Sequence, residues 1–183
     1  MKADLWRNEL VRLTAKNAQT DVEAFARWTH DSEYLRFQDS DVARPKSVKQ
    51  TADWYDREDA AERFVFVIRP LLSDEPLGLT MLSGVGWHGN AWLGVGIGNR
   101  AYWGQGYGSA AVRLTLGYAF AELNLHRVSL SVLGTNPRAI RAYEKCGFVP
   151  EGRWRELAGY DGQWSDEVVM GILRSEWAAR QTK

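Results

Sequence analysis

A glycine-rich segment near the middle of the chain has the composition of an anion-binding turn. Three glycines alternate with larger residues in WGQGYGSA (103–110), and helical spacing of apolar residues follows over 109–123. Glycines admit left-handed backbone angles, so such a turn can direct several successive N–H groups inward. The start of the helix adds unpaired N–H groups and the positive end of its dipole. The segment therefore predicts a site for an anion of about the size of a pyrophosphate.

Two other phosphate-binding motifs fit this region less well. A P-loop ends in Gly-Lys followed by Ser or Thr, and no Lys occurs between Lys49 and Lys145, which excludes that motif. A dinucleotide fingerprint of the form G-x-G-x-x-A is matched by residues 96–101. That fingerprint opens a helix directly, whereas the segment AYWGQG intervenes here. The dinucleotide interpretation is therefore disfavoured.

The segment before the turn carries further glycines at a spacing of two residues. Gly94, Gly96 and Gly98 fall within AWLGVGIG (91–98), which we predict to be a strand. Glycine weakens a strand, so this run indicates a bulge or the close approach of a ligand or another segment. One interpretation is that a narrow ligand lies against the bare face. The other is that a neighbouring Trp packs there.

The elements that position these residues form an α+β (mixed α/β) pattern around one twisted sheet. Capping boxes at 20–23 and 47–50 predict helices to about His30 and Glu62, with an irregular, site-bordering loop over 32–45. Strands are predicted at 63–68, 77–86, 91–98 and 126–133, with a hairpin turn at 88–90. Asn136-Pro137 predicts a helix that Gly147 ends. A last hairpin turning at Asp161-Gly162 and a short helix complete the chain.

Bulk properties restrict the function classes. The 183 residues predict a single domain (1–183), and 45% apolar content with zero net charge gives no electrostatic case for nucleic acid or an anionic membrane. The single cysteine, Cys146, fits a reducing compartment. The chain shows no basic-then-apolar leader or membrane-spanning apolar run, so we expect a cytoplasmic protein. The three histidines lack metal-ligand spacing, and no metal is expected.

Taken together, the strand LGVGIG, the loop Gln105-x-x-Gly108-x-Ala110 and the series Asn136, Tyr143, Gly147-Phe148 resemble the GNAT N-acetyltransferase superfamily. The segments YWGQGYGSAAVRLTLGYAF, NLHRVSLSVLGTNPRAIRAYEKCGFVPEGRWRE and DGQWSDEVVMGIL are most similar to its RimJ/RimL-type branch. The resemblance covers nearly the whole chain and is weakest over 1–60. It implies the GNAT fold, with a mostly antiparallel sheet that is splayed at its central strands and has helices on both faces.

The resemblance also implies a role for particular residues. The glycine loop would hold the pyrophosphate of coenzyme A through backbone N–H groups, and the glycine strand would pair with the pantetheine arm and direct an N–H at the thioester carbonyl. Asn136 would contact the same arm and also cap its helix. Tyr143, about two helical turns further on, would protonate the departing thiolate. The implied cofactor-binding residues are Gly96, Ile97, Gly98, Gln105, Gly106, Tyr107, Gly108, Ser109, Ala110 and Asn136.

The chain departs from the family where relatives carry a glutamate base. Trp92 and Ser131 stand at those two positions. A water chain, His88 or an acid of the 31–41 segment could serve instead, or the amine could arrive neutral. The acids are Asp31, Glu33, Asp39 and Asp41. We expect Trp92, His88 and Glu33 to contact the acceptor, and Arg138 and Arg141 to lie either near the 3′-phosphate or adenine or in solvent.

The expected function is acetyl-CoA-dependent transfer of an acetyl group to a primary amine, by a monomer or homodimer. The acceptor is either a protein N-terminus, as in ribosomal-protein acetylation, or a small molecule such as a polyamine or an antibiotic. A strongly acidic cleft would favour a polycation and an open groove a peptide. The alternative is a coenzyme A-binding sensor or partner module with weak or no catalysis, which the missing glutamates suggest.

Overall fold

Seven strands and six helices form in residues 4–38, 42–57, 63–86 and 88–181, the parts of the chain that a computed structural model describes. The strands are β1 (Val11–Thr14), β2 (Phe64–Pro70), β3 (Gly78–Ser83), β4 (Asn90–Ile97), β5 (Arg127–Leu133), β6 (Val149–Tyr160) and β7 (Gln163–Leu173). The helices are α1 (Ala18–Trp28), α2 (Ser32–Gln38), α3 (Val48–Arg57), α4 (Tyr107–Gly117), α5 (Pro137–Cys146) and α6 (Arg174–Gln181). A π-helical turn (Tyr118–Glu122) continues α4.

All strands lie in one sheet, in the order β1-β2-β3-β4-β5-β7-β6. Every neighbouring pair is antiparallel except β4 and β5. These two parallel strands pair only from Asn90↔Arg127 to Trp92↔Ser129. Beyond this point β4 continues on β3 as far as Ile97, and β5 continues on β7 as far as Leu133. The centre of the sheet is therefore splayed, as expected, and a cleft opens between its two halves.

Helices cover both faces of the sheet, because alternate strand residues point to opposite faces. On one face, Val67 and Leu79 pack with Phe25 and Tyr55 of α1 and α3. On the other face, α4, its π-helical continuation and α5 pack on apolar strand residues. One cluster includes Phe120 and Val128, and another includes Val11 and Ile68. The expected arrangement of helices on both faces of one α+β sheet is confirmed.

The first part of the chain differs from the sequence prediction. α1 begins ahead of the predicted capping box, because Asn17 is its N-cap and accepts the Gln19 N–H. The segment predicted to be irregular contains α2, which Asp31 caps by accepting the Glu33 and Tyr34 N–H groups at 3.1 Å. Local side-chain hydrogen bonds thus decide both helix starts.

The strands differ from the sequence prediction at two places. The sequence does not predict β1, because its four residues are too few to show the two-residue period of a strand. β3 ends at Ser83 and not at Gly86, because Gly84 has a φ of +61° and leaves the extended conformation. The predicted end of α3 at Glu62 lies outside the described residues.

Other local predictions hold. Ser47 and Gln50 form the reciprocal capping box at the start of α3, with N–H contacts of 2.9 and 3.2 Å. Gly147 ends α5 with a φ of +108°. Asp161 and Gly162 both have positive φ, as the two-residue turn of the β6–β7 hairpin requires. In the described parts of the chain, no helix has both the length and the apolar character needed to cross a bilayer.

Candidate active site

The glycine-rich turn leads into α4 and forms one end of the cleft. Gly104 and Gly106 have φ angles of 74° and 91°, and Gly106 is the left-handed N-cap of the helix. The first backbone bond of the helix runs from the Ala110 N–H to the Gly106 carbonyl at 2.9 Å. The preceding N–H groups of 107–109 therefore have no acceptor within the helix. With the helix dipole they form a site suited to an anion.

The free edge of β4 forms one wall. The Gly98 N–H donates to the Leu77 carbonyl at 2.8 Å, towards β3. Because the backbone groups of successive strand residues alternate in direction, those of Ile97 and Val95 face the opposite way, into the splay. The Ile97 carbonyl accepts a hydrogen bond from the Trp103 indole Nε1 at 2.6 Å, which confirms its direction. The edge thus presents unpaired N–H groups to a ligand in the cleft.

α5 forms the opposite wall. The Asn136 side chain caps this helix by accepting the Ala139 N–H at 3.1 Å, and Asn136 itself is buried. Burial raises the pKa of Tyr143 to about 12, with a further contribution from nearby Cys146, so its hydroxyl is protonated at neutral pH. The Arg138 guanidinium lies 4.1 Å from the centre of the Trp103 ring. Cationic side chains of α5 therefore border the same end of the cleft as the α4 N-terminus.

The cleft has a volume of about 290 Å³. Seven of the residues predicted for the cofactor and the chemistry line it together: Gly96, Ile97, Gly106, Gly108, Ser109, Asn136 and Tyr143. Arg138, Arg141 and Lys145 also line it, whereas no Asp or Glu of the described residues does. The splay thus brings together segments that are far apart in sequence.

Four of the predicted cofactor residues lie beside the cleft. Ala110 is fully buried, and its carbonyl accepts the Asn8 side-chain amide at 3.0 Å. Tyr107 packs edge-on against Tyr102, with ring centres 4.9 Å apart. Gln105 is exposed, and its amide bonds back to the Ala101 carbonyl. The side chains of Tyr107 and Gln105 thus contact neighbouring residues of the turn, and that of Ala110 is buried.

The fourth is Gly98, which belongs to the glycine face of β4. A Cβ atom on Gly98 would lie 1.9 Å from Trp28 Cδ2, and one on Gly96 would lie 1.8 Å from Gln38 Oε1. Gly94 is packed against Met81. Side chains of α1, α2 and β3 thus fill this face. Of the two interpretations of the glycine run, the packing of a neighbouring Trp therefore applies at Gly98. The cleft therefore runs along the edge of the strand, and Gln38 borders it from this face.

Sequence reasoning missed several residues that line the cleft. They are Tyr34, Phe37, Gln38, Tyr102 and Trp103. The position of segment 32–45 beside a site was expected, but its helix was not. Because no helix was predicted there, the sequence did not indicate that Tyr34 and Phe37 lie on the same side of a helix. The i, i+3 spacing of this pair was the available signal.

The residues expected to contact the acceptor lie outside the cleft. Trp92 is half-exposed, with its ring centre 6.1 Å from that of Trp154, and it lines a separate hollow of about 510 Å³ on the sheet. His88 is exposed in the β3–β4 loop. Glu33 forms an ion pair with Arg100 at 2.5 Å. Their contact with a substrate stays a prediction.

Asp31, another candidate base, does not line the cleft either. Asp31 is bound by the same Arg100, and the hydrogen bond from this guanidinium lowers the pKa of Asp31 despite an opposing effect of burial. Ser131 is exposed. Asp39 and Asp41 lie outside the described residues.

Comparisons with known proteins agree with this geometry. Residues 11–149 match the family described as "Acetyltransferase (GNAT) domain". The chain is 39% identical to the spermidine N(1)-acetyltransferase of Vibrio cholerae over 42% of its length and 44% of that protein. It is 32% identical to "Probable N-acetyltransferase YjcK" of Bacillus subtilis over 70% of the chain and 71% of that protein. A crystal structure of the Vibrio cholerae spermidine N-acetyltransferase in complex with CoA and spermine superposes with a TM-score of 0.83 at 25% identity, covering 93% and 99% of the two chains.

The family match spans most of the chain, and the superposition includes both halves of the splayed sheet. The seven-stranded sheet with its helices is therefore the GNAT fold. The chain belongs to the GNAT family and is an N-acetyltransferase.

Proposed function

We propose that this enzyme transfers the acetyl group of acetyl-CoA directly to a primary amine, and that 1–183 acts as one catalytic domain of the RimJ/RimL-type branch. One observation carries the proposal: the α4 N-terminus, the free edge of β4 and Tyr143 all line one cleft. The similar fold of an enzyme crystallised with CoA and spermine supports it.

In this proposal, each wall of the cleft binds a different part of acetyl-CoA. The pyrophosphate binds at the N–H groups of the glycine turn (105–110), and Arg138 and Arg141 neutralise further phosphate charge. The pantetheine arm follows the edge of β4 over Gly96, Ile97 and Gly98 and reaches Asn136. Among these groups, the N–H groups of 107–109 and of Ile97 are the unpaired donors, and Arg138 and Arg141 supply the cations.

The reaction requires no covalent enzyme intermediate. The amine nitrogen attacks the thioester carbon, and the Ile97 N–H, which faces the cleft, stabilises the negative charge on the carbonyl oxygen. The C–N bond forms, the C–S bond breaks, and the Tyr143 hydroxyl gives its proton to the leaving thiolate. The proton lost from the amine passes to water, and Tyr143 is reprotonated from solvent. The products are the acetylated amine and free coenzyme A.

For the acceptor, we propose a small polyamine such as spermidine ahead of a protein N-terminus. The names of the Vibrio cholerae relatives support this choice. The cleft lining does not add to this support, because no Asp or Glu of the described residues lines it, whereas an acidic cleft was the feature expected for a polycation. The test is release of coenzyme A thiol from acetyl-CoA with spermidine, spermine, an aminoglycoside and a peptide with a free N-terminus. A kcat/KM that is at least about tenfold higher for spermidine than for the peptide is expected. The reverse order would assign the enzyme to protein N-termini.

A coenzyme A-binding module without turnover is the second candidate. The presence of Trp92 and Ser131 at the family's glutamate positions favours it. Turnover of any amine in the panel, lost in Tyr143→Phe, excludes this candidate. Acetyl-CoA binding without turnover of any amine would establish it, and the absence of acetyl-CoA binding would exclude both candidates.

A further inference from the structure

Gln38, the last residue of α2, holds a buried oxygen without a hydrogen-bond donor. Its side-chain Oε1 is buried, and no described residue donates to it. The same side chain lines the cleft next to Tyr34 and Phe37. A buried acceptor left unpaired costs free energy, so such a group in a ligand cleft indicates a donor that the ligand brings.

The position of this oxygen is fixed by β4. A Cβ atom at Gly96 would lie 1.8 Å from Gln38 Oε1, so the amide rests directly on the strand and requires glycine there. Val95 and Ile97 point to the opposite face of β4, where they pack against the α4 side. Gln38 therefore approaches the splay from the face opposite α4.

Ion pairs at both ends of α2 stabilise it in this position. Arg36 donates two hydrogen bonds to Asp161 at the tip of the β6–β7 hairpin, at 2.8 and 2.9 Å. At the other end of α2, Arg100 forms ion pairs with Asp31 and Glu33. Gln38 Oε1 is thus part of a helix whose two ends both form ion pairs with other segments. Its position is therefore set by the protein and does not depend on a ligand.

We infer that Gln38 Oε1 accepts a hydrogen bond from the amino group of the acceptor and positions this nitrogen against the thioester at β4. The inference rests on the proposed function and names a positioning residue for its acceptor. The alternative donor in the same cleft is an amide N–H of the pantetheine arm. The acceptor amine is favoured because the phosphate-binding turn and Tyr143 lie on the α4 and α5 side, whereas Gln38 reaches the strand from the other face.

The test is Gln38→Leu, which removes the oxygen and keeps a similar volume. The kcat/KM for spermidine is expected to fall about 10- to 100-fold, as for loss of a hydrogen bond to an amine. The Kd for acetyl-CoA, measured by calorimetry, is expected to change less than about twofold. The Tm of the free protein is expected to stay equal or rise, because an unpaired polar atom is removed. Gln38→Glu retains an acceptor oxygen and is expected to recover most of the loss.

Thr51→Val provides the matched control. Thr51 Oγ1 is also buried without a partner among the described residues, but it lies on α3, outside the cleft. Its removal is expected to leave the kinetics with both substrates unchanged. A Gln38→Leu protein with weaker acetyl-CoA binding, or with unchanged spermidine kinetics, would overturn the inference.

Failure of the proposed function gives a different result. If the wild type acetylates no amine in the panel, spermidine is titrated into the wild type and Gln38→Leu, each saturated with coenzyme A. Binding at least about tenfold tighter to the wild type supports the role of Gln38 as an amine acceptor. Equal binding, or no binding to either protein, overturns it.

Discussion

The indole Nε1 of Trp103 donates to the Ile97 carbonyl at 2.6 Å, at the point where β4 has lost its neighbour β5. A side chain thus satisfies a backbone acceptor that a continuous sheet would have paired with a strand. The Arg138 guanidinium of α5 lies over the ring of the same indole, 4.1 Å from its centre. One residue therefore supports both the open strand and a cation at the proposed phosphate end.

Trp103→Phe removes the donor while keeping an aromatic ring. We expect the free energy of unfolding to fall by about 1–2 kcal/mol, since the Ile97 carbonyl loses its partner. The KM for acetyl-CoA should rise about two- to fivefold through weaker stacking with Arg138. Urea unfolding and initial rates measure the two effects. Trp164→Phe, at a ring that is 69% exposed, should change stability by less than about 0.5 kcal/mol, and an equal loss there would contradict the assignment.

Tyr143→Phe is expected to lower kcat by about 100-fold or more, because the thiolate loses its proton donor. Burial raises the pKa of Tyr143 to about 12, so the acid stays protonated as the pH rises from about 7 to about 10. The pH–rate profile should therefore show no descending limb from this group in that range. Tyr102→Phe, on the same cleft, should keep kcat. A descending limb near pH ~9 that disappears in Tyr143→Phe would disprove the raised pKa.

Gly98→Ala is expected to destabilise the protein by about 1–3 kcal/mol, because its Cβ would lie 1.9 Å from the rigid indole of Trp28. Gly117→Ala is the control: this helical glycine has a φ of −57° and no heavy atom within 4 Å of an added Cβ. It should stabilise the protein by about 0.4–1 kcal/mol. Thermal and urea unfolding would show opposite signs for the two variants. Equal effects would mean that Trp28 does not set the requirement for glycine.

Asp21→Asn is expected to cost about 3–5 kcal/mol, because it leaves the Arg69 cation without its buried partner. The Asp21 carboxylate is fully buried and accepts from Arg69 at 2.5 Å and from the Tyr55 hydroxyl at 2.6 Å. Asp74→Asn, at the exposed ion pair with Arg12, should cost less than about 1 kcal/mol. Urea unfolding at neutral pH compares the two.

The same carboxylate predicts acid sensitivity. Burial alone would raise the pKa of Asp21, but hydrogen bonds from Tyr55, the Asn17 N–H, Arg69 and Thr20 outweigh it, so the folded-state pKa lies below the usual value. Its contribution is therefore complete above the unfolded pKa of about 3.9 and is lost as the pH falls through the folded value. Stability of the wild type should fall more steeply below pH ~4 than that of Asp21→Asn. Parallel curves would disprove the shift.

Local chemistry in the sequence determined the turns and helix ends of this protein. Gly106, the Asn136 cap, Gly147 and the Asp161-Gly162 turn each follow from backbone angles or capping bonds within a few residues. For that reason the helix starts at the cleft and the last hairpin could be predicted. The order of the motifs along the chain also indicated the family.

Only the tertiary structure decided which side chains contact β4 beside the cleft. Trp28 and Gln38 meet the glycine face of β4, and Trp103 reaches Ile97, because helices on two faces pack against one strand. The short α2 is held by Arg36 and Asp161, which are 125 positions apart in the chain. The periodicity of apolar residues along a helix or strand does not predict such contacts, because they depend on how distant segments pack together. The sequence thus predicted the glycine turn and the α5 residues that line the cleft, and the tertiary structure alone placed Gln38 on its other side.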